Sequence, residues 1–139
     1  MKVLSLFSGI GAFELALKRI GVDTELVGFS EIDKYAVKSY CSVHGVSEDL
    51  NLGDISKIDW AKAPDFDLFT YSFPCQDISA AGKQSGFEEG TGTRSSLLWE
   101  CKKTIEAKKP RYLMMENVKA LASAKFLPFL RQWQSWLHG

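Results

Sequence analysis

The sequence has 139 residues, in which 17 basic side chains balance 17 acidic ones, and 45% of the residues are hydrophobic. The mean hydropathy is -0.10. This composition is typical of a globular protein, and it excludes a disordered charged tail, a collagen-like chain and a membrane span. The length accommodates one hydrophobic core.

The cysteines and histidines do not have the spacing of a metal site. Cys41, Cys75 and Cys101 include no Cys-x-x-Cys pair, and His44 and His138 stand apart from each other. We therefore predict no zinc site, and the odd number of thiols favours a reducing, cytoplasmic location over a disulfide framework. The first residues carry no basic region and no cleavage motif of a secretion signal.

The two halves of the chain differ in charge. Residues 1–70 have a net charge of −4, and residues 71–139 have a net charge of +4. A basic half is compatible with a partner that has a phosphate backbone, but a solvated helix face is the favoured interpretation. The lysines of that face are Lys102, Lys103, Lys108 and Lys109.

Short apolar runs alternate with amphipathic segments along the chain. The runs predict strands at residues 3–7, 26–29, 51–55, 68–72 and 112–115. The amphipathic segments predict helices at residues 12–20, 33–44, 96–108 and 124–137. Strands that alternate with helices favour an α/β fold, a doubly wound parallel sheet of about five strands.

A long loop is predicted at residues 76–94, after the fourth strand, which Pro74 ends. Loops of this length in compact domains are usually functional or disordered. A sheet of about five strands that ends on an aromatic-rich helix also leaves a strand edge or a helix face uncovered. We therefore expect the chain to self-associate or to bind a partner.

A turn with two glycines, Gly9 and Gly11, connects the first strand to the first helix. Such a turn lets backbone amides approach a ligand, although it can also be a tight turn without one. A dinucleotide fingerprint requires glycine at position 14, where this chain has Glu14. A carboxylate at the start of a helix repels a pyrophosphate but tolerates a cofactor without phosphate.

Glu31 ends the second strand, 20 residues after Gly11. At that place an acidic side chain accepts hydrogen bonds from both hydroxyls of a ribose, whereas a lone carboxylate is more often a surface charge. Taken with the glycine turn, Glu31 indicates an adenosine cofactor that lacks phosphates. S-adenosylmethionine is the obvious candidate.

Cys75 follows Pro74 where the fourth strand delivers its carboxyl end, the usual ligand crevice of an open α/β sheet. A lone cysteine is most often a small buried hydrophobe, and we interpret Cys41 and Cys101, which lie inside helical patterns, in that way. The position of Cys75 instead makes it a candidate nucleophile.

Glu116 ends the fifth strand, beside the fourth. The apolar residues before it predict partial burial, which raises a carboxyl pKa enough for the group to donate a proton; the alternative is a charge at a helix start. A thiolate that adds to C6 of cytosine, with a carboxylic acid at N3, allows C5 to take a methyl group from a sulfonium donor. A base in a duplex has to be flipped out for this reaction, and the loop at residues 76–94 would close behind it.

Five segments carry these motifs: residues 7–11 (Phe-Ser-Gly-Ile-Gly), 31–33 (Glu-Ile-Asp), 53–55 (Gly-Asp-Ile), 73–79 (Phe-Pro-Cys-Gln-Asp-Ile-Ser) and 116–118 (Glu-Asn-Val). In order and spacing they resemble the DNA (cytosine-5)-methyltransferases. Segments 82–87 and 94–100 are also similar to that family, so the resemblance extends over essentially the whole chain. The pair Pro-Cys-Gln and Glu-Asn-Val is its most specific part.

The resemblance implies a Rossmann-like, S-adenosylmethionine-dependent methyltransferase fold that acts on double-stranded DNA. Cys75 would be the nucleophile, Glu116 the acid at N3, and Asn117 would orient the segment before the nucleophile. Glu31 would hold the ribose and Asp54 the adenine amino group. The residues implied to line the cofactor pocket are Phe7, Gly9, Ile10, Gly11, Glu31, Ile32, Asp54, Ile55, Pro74 and Leu97. The residues implied to face DNA are Gln76, Ser79 and Lys83.

Family members continue with a Gln-x-Arg-x-Arg segment, a target-recognition domain and a C-terminal helix that closes the cofactor pocket, and residues 1–139 contain none of them. We therefore expect this chain to be the N-terminal part of a catalytic domain, which needs a C-terminal half for activity. The alternative is a non-enzymatic S-adenosylmethionine-binding module that acts as a partner. A nicotinamide-dependent oxidoreductase is disfavoured by Glu14.

Overall fold

A computed structural model of the chain describes residues 1–74 and 97–139, in which strands and helices alternate. The strands are β1 (Lys2–Leu6), β2 (Glu25–Ser30), β3 (Leu68–Tyr71) and β4 (Tyr112–Met115). The helices are α1 (Ala12–Arg19), α2 (Lys34–His44), α3 (Leu98–Lys108) and α4 (Leu127–His138). Short 3₁₀ turns lie at Glu48–Leu50, Ile55–Lys57 and Lys119–Ala122.

The described strands form one parallel sheet in the order β2-β1-β3-β4. The chain runs outward from β1 to β2 and then returns past β1 to β3, so the direction of the connections reverses between β1 and β3. Ligands of open α/β sheets bind at the carboxyl ends of the strands beside such a reversal. The predicted parallel α/β fold is confirmed, with four strands in the described residues where about five were expected.

The strand predicted at residues 51–55 is wrong. Asn51 makes an isolated bridge with Phe29, and the Leu52 amide donates to the Phe29 carbonyl at 2.7 Å. The chain then turns at Gly53, which has φ +73°, into the 3₁₀ turn Ile55–Lys57. The pairing therefore stops after one bridge, because a left-handed residue does not continue an extended strand.

The last helix begins later than the predicted residue 124. The amides of Phe126 and Leu127 both donate to the carbonyl of Ser123, which forms a turn before α4. Pro128 lies in the first turn of α4, where its missing N–H leaves no hydrogen bond unmade. Proline therefore marks the start of this helix better than the apolar periodicity does.

Two clusters of buried side chains hold α1 and α2 in place. In the first, Leu17 of α1 packs with Val3 of β1 and Leu68 of β3. In the second, Tyr40 of α2 stacks on Phe29 of β2, with the ring centroids 4.3 Å apart. These contacts explain the helical spacing of the apolar residues in α1 and α2.

The described residues separate into two compact units, Met1–Ser72 with Glu100–Met115, and Phe73–Trp99 with Glu116–Gly139. The first unit contains the sheet with α1 and α2. The second contains α4, whose indoles at Trp133 and Trp136 lie 4.9 Å apart, centroid to centroid. Within the described ranges, we find no helix with the length and apolar character needed to cross a membrane.

The buried Tyr40 hydroxyl should make the folded state less stable at alkaline pH. Burial raises its pKa far above the ordinary value of 10.0, and the nearby Glu14 carboxylate raises it further. Because the pKa of this hydroxyl is higher in the folded state than in the unfolded state, its contribution to stability is fully present below pH 10. That contribution is lost as the pH rises above 10. Above pH 10, the unfolding free energy should decrease with pH less steeply in Tyr40→Phe than in the wild type. We expect the two slopes to differ by about 1.4 kcal/mol per pH unit, measured by urea denaturation at a series of pH values.

Tyr35→Phe is the matched control for this measurement, because the Tyr35 ring is exposed. It should leave the alkaline slope of the wild type unchanged. The buried Cys101 thiol, whose pKa burial also raises, contributes a slope of the same sign in all three proteins and cancels in the comparison. Equal slopes in Tyr40→Phe and wild type would contradict the prediction.

Candidate functional site

The turn after β1, residues 7–11, has an unusual backbone conformation. Phe7, Gly9 and Gly11 have φ angles of 54°, 52° and 75°. Glycine adopts this left-handed region at little cost, whereas a residue such as Phe7 is strained there by about 1–3 kcal/mol. The Ser8 amide, which donates to the carbonyl of Ser30 at 3.3 Å, ties the turn to β2.

Glu31 lies directly after β2 and is held by three backbone amides. Its Oε2 accepts from the Gly9 amide at 3.1 Å. Its Oε1 accepts from the amides of Ile32 and Asp33 at 2.9 and 3.0 Å. These three hydrogen bonds fix the direction of the carboxylate. A fixed negative charge therefore stands beside the glycine turn, where the sequence placed a ribose-binding carboxylate.

Asn51 brings a third segment to Glu31, a role that the sequence did not predict. The Asn51 side chain accepts from the Glu31 amide through Oδ1 and donates to the Glu31 carbonyl through Nδ2, both at 3.1 Å. The same Oδ1 accepts from the Gly53 amide at 3.0 Å, and the Ser30 hydroxyl donates to the Gly53 carbonyl at 2.6 Å. The residue type was the only signal in the sequence for this pairing, because the side-chain amide of asparagine has an acceptor and a donor and can pair with both the N–H and the C=O of a backbone.

Asp54 and Ile55 follow this segment. Oδ1 of Asp54 accepts from the hydroxyl and the amide of Ser56, and these bonds, with help from Lys57, lower the pKa of the carboxyl. Asp54 therefore caps the 3₁₀ turn that follows it and stays ionised. Ile55 is buried, so its side chain belongs to the interior of the unit.

Two apolar side chains beside the turn and Glu31 are exposed. Ile10 is 59% exposed and Ile32 is 78% exposed. A methyl group added at Gly9 would meet no atom within 4 Å, so the space over the turn is open. Exposed apolar side chains next to a fixed carboxylate suit a ligand that has both a flat apolar ring and hydroxyl groups.

Glu14 does not face the ligand side of the α1 start, where the sequence predicted it. Its side chain is 8% exposed and faces the interior, where Oε1 accepts from the Thr70 hydroxyl at 3.4 Å. The expectation that this carboxylate faces the ligand side of the helix start, where it would repel a pyrophosphate, is therefore wrong. Glu14 lies three residues before buried Leu17 on α1, and this helical spacing was the signal for an inward direction.

The second unit holds the other predicted segment. Nδ2 of Asn117 donates to the Phe73 carbonyl at 2.9 Å, and Oδ1 of Asn117 accepts from the Val118 amide at 2.9 Å. Phe73 is buried and Pro74 is half-buried. One asparagine thus ties the backbone that leads to position 75 to the segment at residues 116–118.

Glu116 is exposed, so the predicted partial burial is wrong. The prediction failed because β4 is itself only partly covered, with Tyr112 and Met114 exposed. Leu97, predicted in the cofactor pocket, is half-buried just before α3. The predicted nucleophile and DNA-facing residues, Cys75, Gln76, Ser79 and Lys83, lie outside the described residues.

Within residues 1–74 and 97–139, no group of three or more His, Cys, Asp or Glu side chains is placed to hold a metal ion. Of the cysteines there, Cys101 is buried and Cys41 is half-buried. Both lie in helices, as the sequence predicted.

Solved structures with the same fold include methyltransferases. Dnmt2 methyltransferase of S. pombe matches with a TM-score of 0.71 and 26% identity over 95% of this chain and 40% of that chain. Methyltransferase EhMeth of Entamoeba histolytica matches with a TM-score of 0.72 and 16% identity over 95% of this chain and 42% of that chain, a likeness of fold. The sheet order and these structural matches show that the chain has the Rossmann-like fold of the S-adenosylmethionine-dependent methyltransferases.

Related sequences narrow the class. Orphan methyltransferase M.Rho11sI of Bacillus phage rho11s is 57% identical over 121 residues, which cover 87% of this chain and 24% of that protein. Type II methyltransferase M.HhaI of Haemophilus parahaemolyticus is 39% identical over 123 residues, which cover 88% of this chain and 35% of that protein. The profile of the C-5 cytosine-specific DNA methylases matches residues 1–138, and the chain belongs to that family.

The turn allows a matched test of its packing. A Cβ at Gly11 would overlap His44 and lie 2.7 Å from Tyr40, whereas a Cβ at Gly9 would meet nothing within 4 Å, and both glycines have positive φ. We expect Gly9→Ala to lower the unfolding free energy by about 1–2 kcal/mol, from backbone strain only. Gly11→Ala should lower it by at least about 3 kcal/mol, since overpacking adds to that strain.

Urea denaturation of the two variants and the wild type measures this difference. Glycine-to-alanine is the same chemical change in both, so the comparison isolates the space behind Gly11. Equal losses at the two positions would mean that α2 does not press against the turn.

Proposed function

We propose that this chain is the N-terminal, catalytic and cofactor-binding part of a DNA cytosine-5 methyltransferase. It would transfer a methyl group from S-adenosylmethionine to C5 of a cytosine flipped out of double-stranded DNA. The observation that carries the proposal is the hydrogen bond from Asn117 to the Phe73 carbonyl. It links the Glu-Asn-Val segment to the backbone before the Pro-Cys-Gln segment, and these are the two segments that cytosine chemistry needs.

S-adenosylmethionine fits the groups around Glu31. It has a flat base, a ribose with two hydroxyl donors and no phosphate. The Glu31 carboxylate, fixed by three amides, would accept from the hydroxyls, and exposed Ile32 would contact the base. Asp54 keeps Oδ2 outside its capping bonds, at a distance of 3.7 Å from Lys57 Nζ, and would accept from the adenine amino group. The bound cofactor supplies an electrophilic methyl group.

Residues 7–11 would hold the remainder of the cofactor. The space over Gly9 is open, and the turn presents backbone rather than side chains there. Ile10 and Phe7 would border it with apolar surface.

Cys75 and Glu116 would perform the chemistry on the base. The Cys75 thiolate forms a bond to C6 of cytosine while the Glu116 carboxylic acid gives a proton to N3, so that the electrons of the C5–C6 double bond become available at C5. C5 would then take the sulfonium methyl group as its C–S bond breaks, leaving S-adenosylhomocysteine. Loss of the C5 proton to a base and departure of the Cys75 thiolate restore the aromatic ring, and N3 returns its proton to Glu116. Asn117 would hold the nucleophile segment in position.

DNA would bind through Gln76, Ser79 and Lys83, and the net charge of +4 on residues 71–139 is compatible with a phosphate backbone. A C-terminal half would complete the enzyme, since the chain spans about a quarter to a third of the relatives cited above. In the described part of the chain no strand pairs with the outer edge of β4, where Tyr112 and Met114 are exposed. Such an edge suits a further strand, from that half or from a second copy.

The cofactor assignment predicts the effect of Glu31→Ala. We expect the wild type to bind S-adenosylhomocysteine in a calorimetric titration and the variant to bind it at least about tenfold more weakly, because charge-assisted hydrogen bonds to the ribose are lost. Glu25→Ala, at the opposite end of β2, is the matched control and should keep wild-type affinity. Equal affinities in both variants would contradict the role of Glu31.

The chemical assignment predicts a covalent complex that depends on Cys75. The chain is mixed with a C-terminal half taken from M.SPRI of Bacillus phage SPR, which is 56% identical over 121 residues. With S-adenosylmethionine and DNA that contains 5-fluorocytosine, the reaction should stop at a protein–DNA adduct that survives denaturation, since fluorine cannot leave as a proton does. Cys75→Ser should abolish the adduct, and Cys41→Ser, the control, should retain it.

An adduct in Cys75→Ser would show that the nucleophile is misassigned. Binding of S-adenosylhomocysteine without any adduct in the wild type would favour the non-enzymatic binding module instead.

A further inference from the structure

The last turn of α2 contacts the back of the glycine turn. Nε2 of His44 lies 3.0 Å from the carbonyl oxygen of Ile10. A carbonyl only accepts hydrogen bonds, so Nε2 carries the hydrogen in this contact. Both the Nε2–H tautomer and the imidazolium satisfy this condition.

This contact completes the hydrogen bonding of one peptide group. The Ile10 carbonyl accepts from His44, and the Gly11 amide on the same peptide donates to the carbonyl of Ser8 at 2.8 Å. With both of its polar groups engaged on opposite sides, the peptide has one favoured orientation. Rotating it would break two hydrogen bonds and direct the Ile10 carbonyl elsewhere.

Rings hold His44 in place. Its imidazole lies 4.4 Å from the ring of Tyr40, and Tyr40 in turn stacks on Phe29 at 4.3 Å. The Cβ that any other residue would bring to position 11 overlaps His44 and comes within 2.7 Å of Tyr40. The space behind the turn is therefore filled, and the hydrogen bond has little freedom to move.

The two ends of α2 contact two parts of the cofactor site. Before its start, the Asp33 amide donates to Glu31 at 3.0 Å, and the Asp33 side chain caps the helix by accepting from the amides of Tyr35 and Ala36. At its end, His44 donates to Ile10. One rigid helix thus fixes both the carboxylate and the turn.

We propose that His44 is a positioning residue for cofactor binding: its Nε2–H holds the Ile10–Gly11 peptide in the orientation that leaves the turn open to S-adenosylmethionine. The inference rests on the proposed function. It also assigns a reason for glycine at position 11, because a side chain there would displace His44.

The test compares His44→Gln with His44→Asn in the full chain. The glutamine amide nitrogen is as many bonds from Cα as Nε2 of histidine and reaches the Ile10 carbonyl, whereas the asparagine nitrogen matches Nδ1 and falls short. Both variants remove the ring and its packing, so their difference isolates the hydrogen bond. Urea denaturation checks that the two unfold at similar concentrations.

Hydrogen exchange of the Gly11 amide measures the anchor without ligand. We expect exchange at least about tenfold faster in His44→Asn than in the wild type, and within about threefold of the wild type in His44→Gln. Titration with S-adenosylhomocysteine should show affinity at least about fivefold weaker in His44→Asn than in His44→Gln. The affinity of the Glu31→Ala variant for S-adenosylhomocysteine is the reference for a site that has lost its carboxylate.

Equal exchange in the Gln and Asn variants would overturn the inference, because His44 would then act through packing only. Different exchange with equal affinity would overturn it as well, since the anchor would not serve the cofactor. If the wild type itself binds no S-adenosylhomocysteine, with or without the M.SPRI half, the proposed function fails first and the inference fails with it.

Discussion

The structure depends on the way three backbone amides hold the Glu31 carboxylate. The Gly9 amide comes from the turn after β1, and the amides of Ile32 and Asp33 come from the approach to α2. One charged group therefore fixes the turn, the end of β2 and the start of a helix relative to one another. Asn51 adds a fourth segment by pairing with the Glu31 backbone. A ligand that meets this carboxylate meets a charge whose direction is set before binding, so little ordering remains to be done.

Local rules made most of this fold predictable. The strands and helices of the first unit lie within a few residues of their predicted bounds, because apolar periodicity and turn residues act over short distances. The place of Glu31 was predictable for the same reason, since it lies at the end of a strand beside a glycine turn. The segment at residues 51–55 was not, because there a side chain takes over the pairing that a strand would make, and Gly53 turns the chain away.

Burial was the property that the sequence predicted least well. Glu14 was expected to face the ligand side of a helix start and is buried against Thr70, whereas Glu116 was expected to be partly buried and is exposed. The burial of a carboxylate depends on elements that are distant in sequence, such as the strand beside Glu14 or the uncovered side of β4. The motif around Glu116 and Asn117 was recognisable without that information, and the hydrogen bond of Asn117 to Phe73 follows from residue type and order rather than from burial.

The central place of β1 has a consequence for the synthesis of the chain. One edge of β1 pairs with β2 after a short crossover, and its other edge pairs with β3. The Lys2 amide donates to the carboxylate of Asp67, 65 residues later in the chain. At about 5–20 residues per second on the ribosome, that edge stays unpaired for roughly 3–13 seconds. Until β3 is made, that edge of β1 has no strand of its own chain to pair with. An unpaired strand edge binds chaperones and pairs with wrong strands more readily than a paired one. This exposure ends when β3, which begins at residue 68, has been synthesised and pairs with β1.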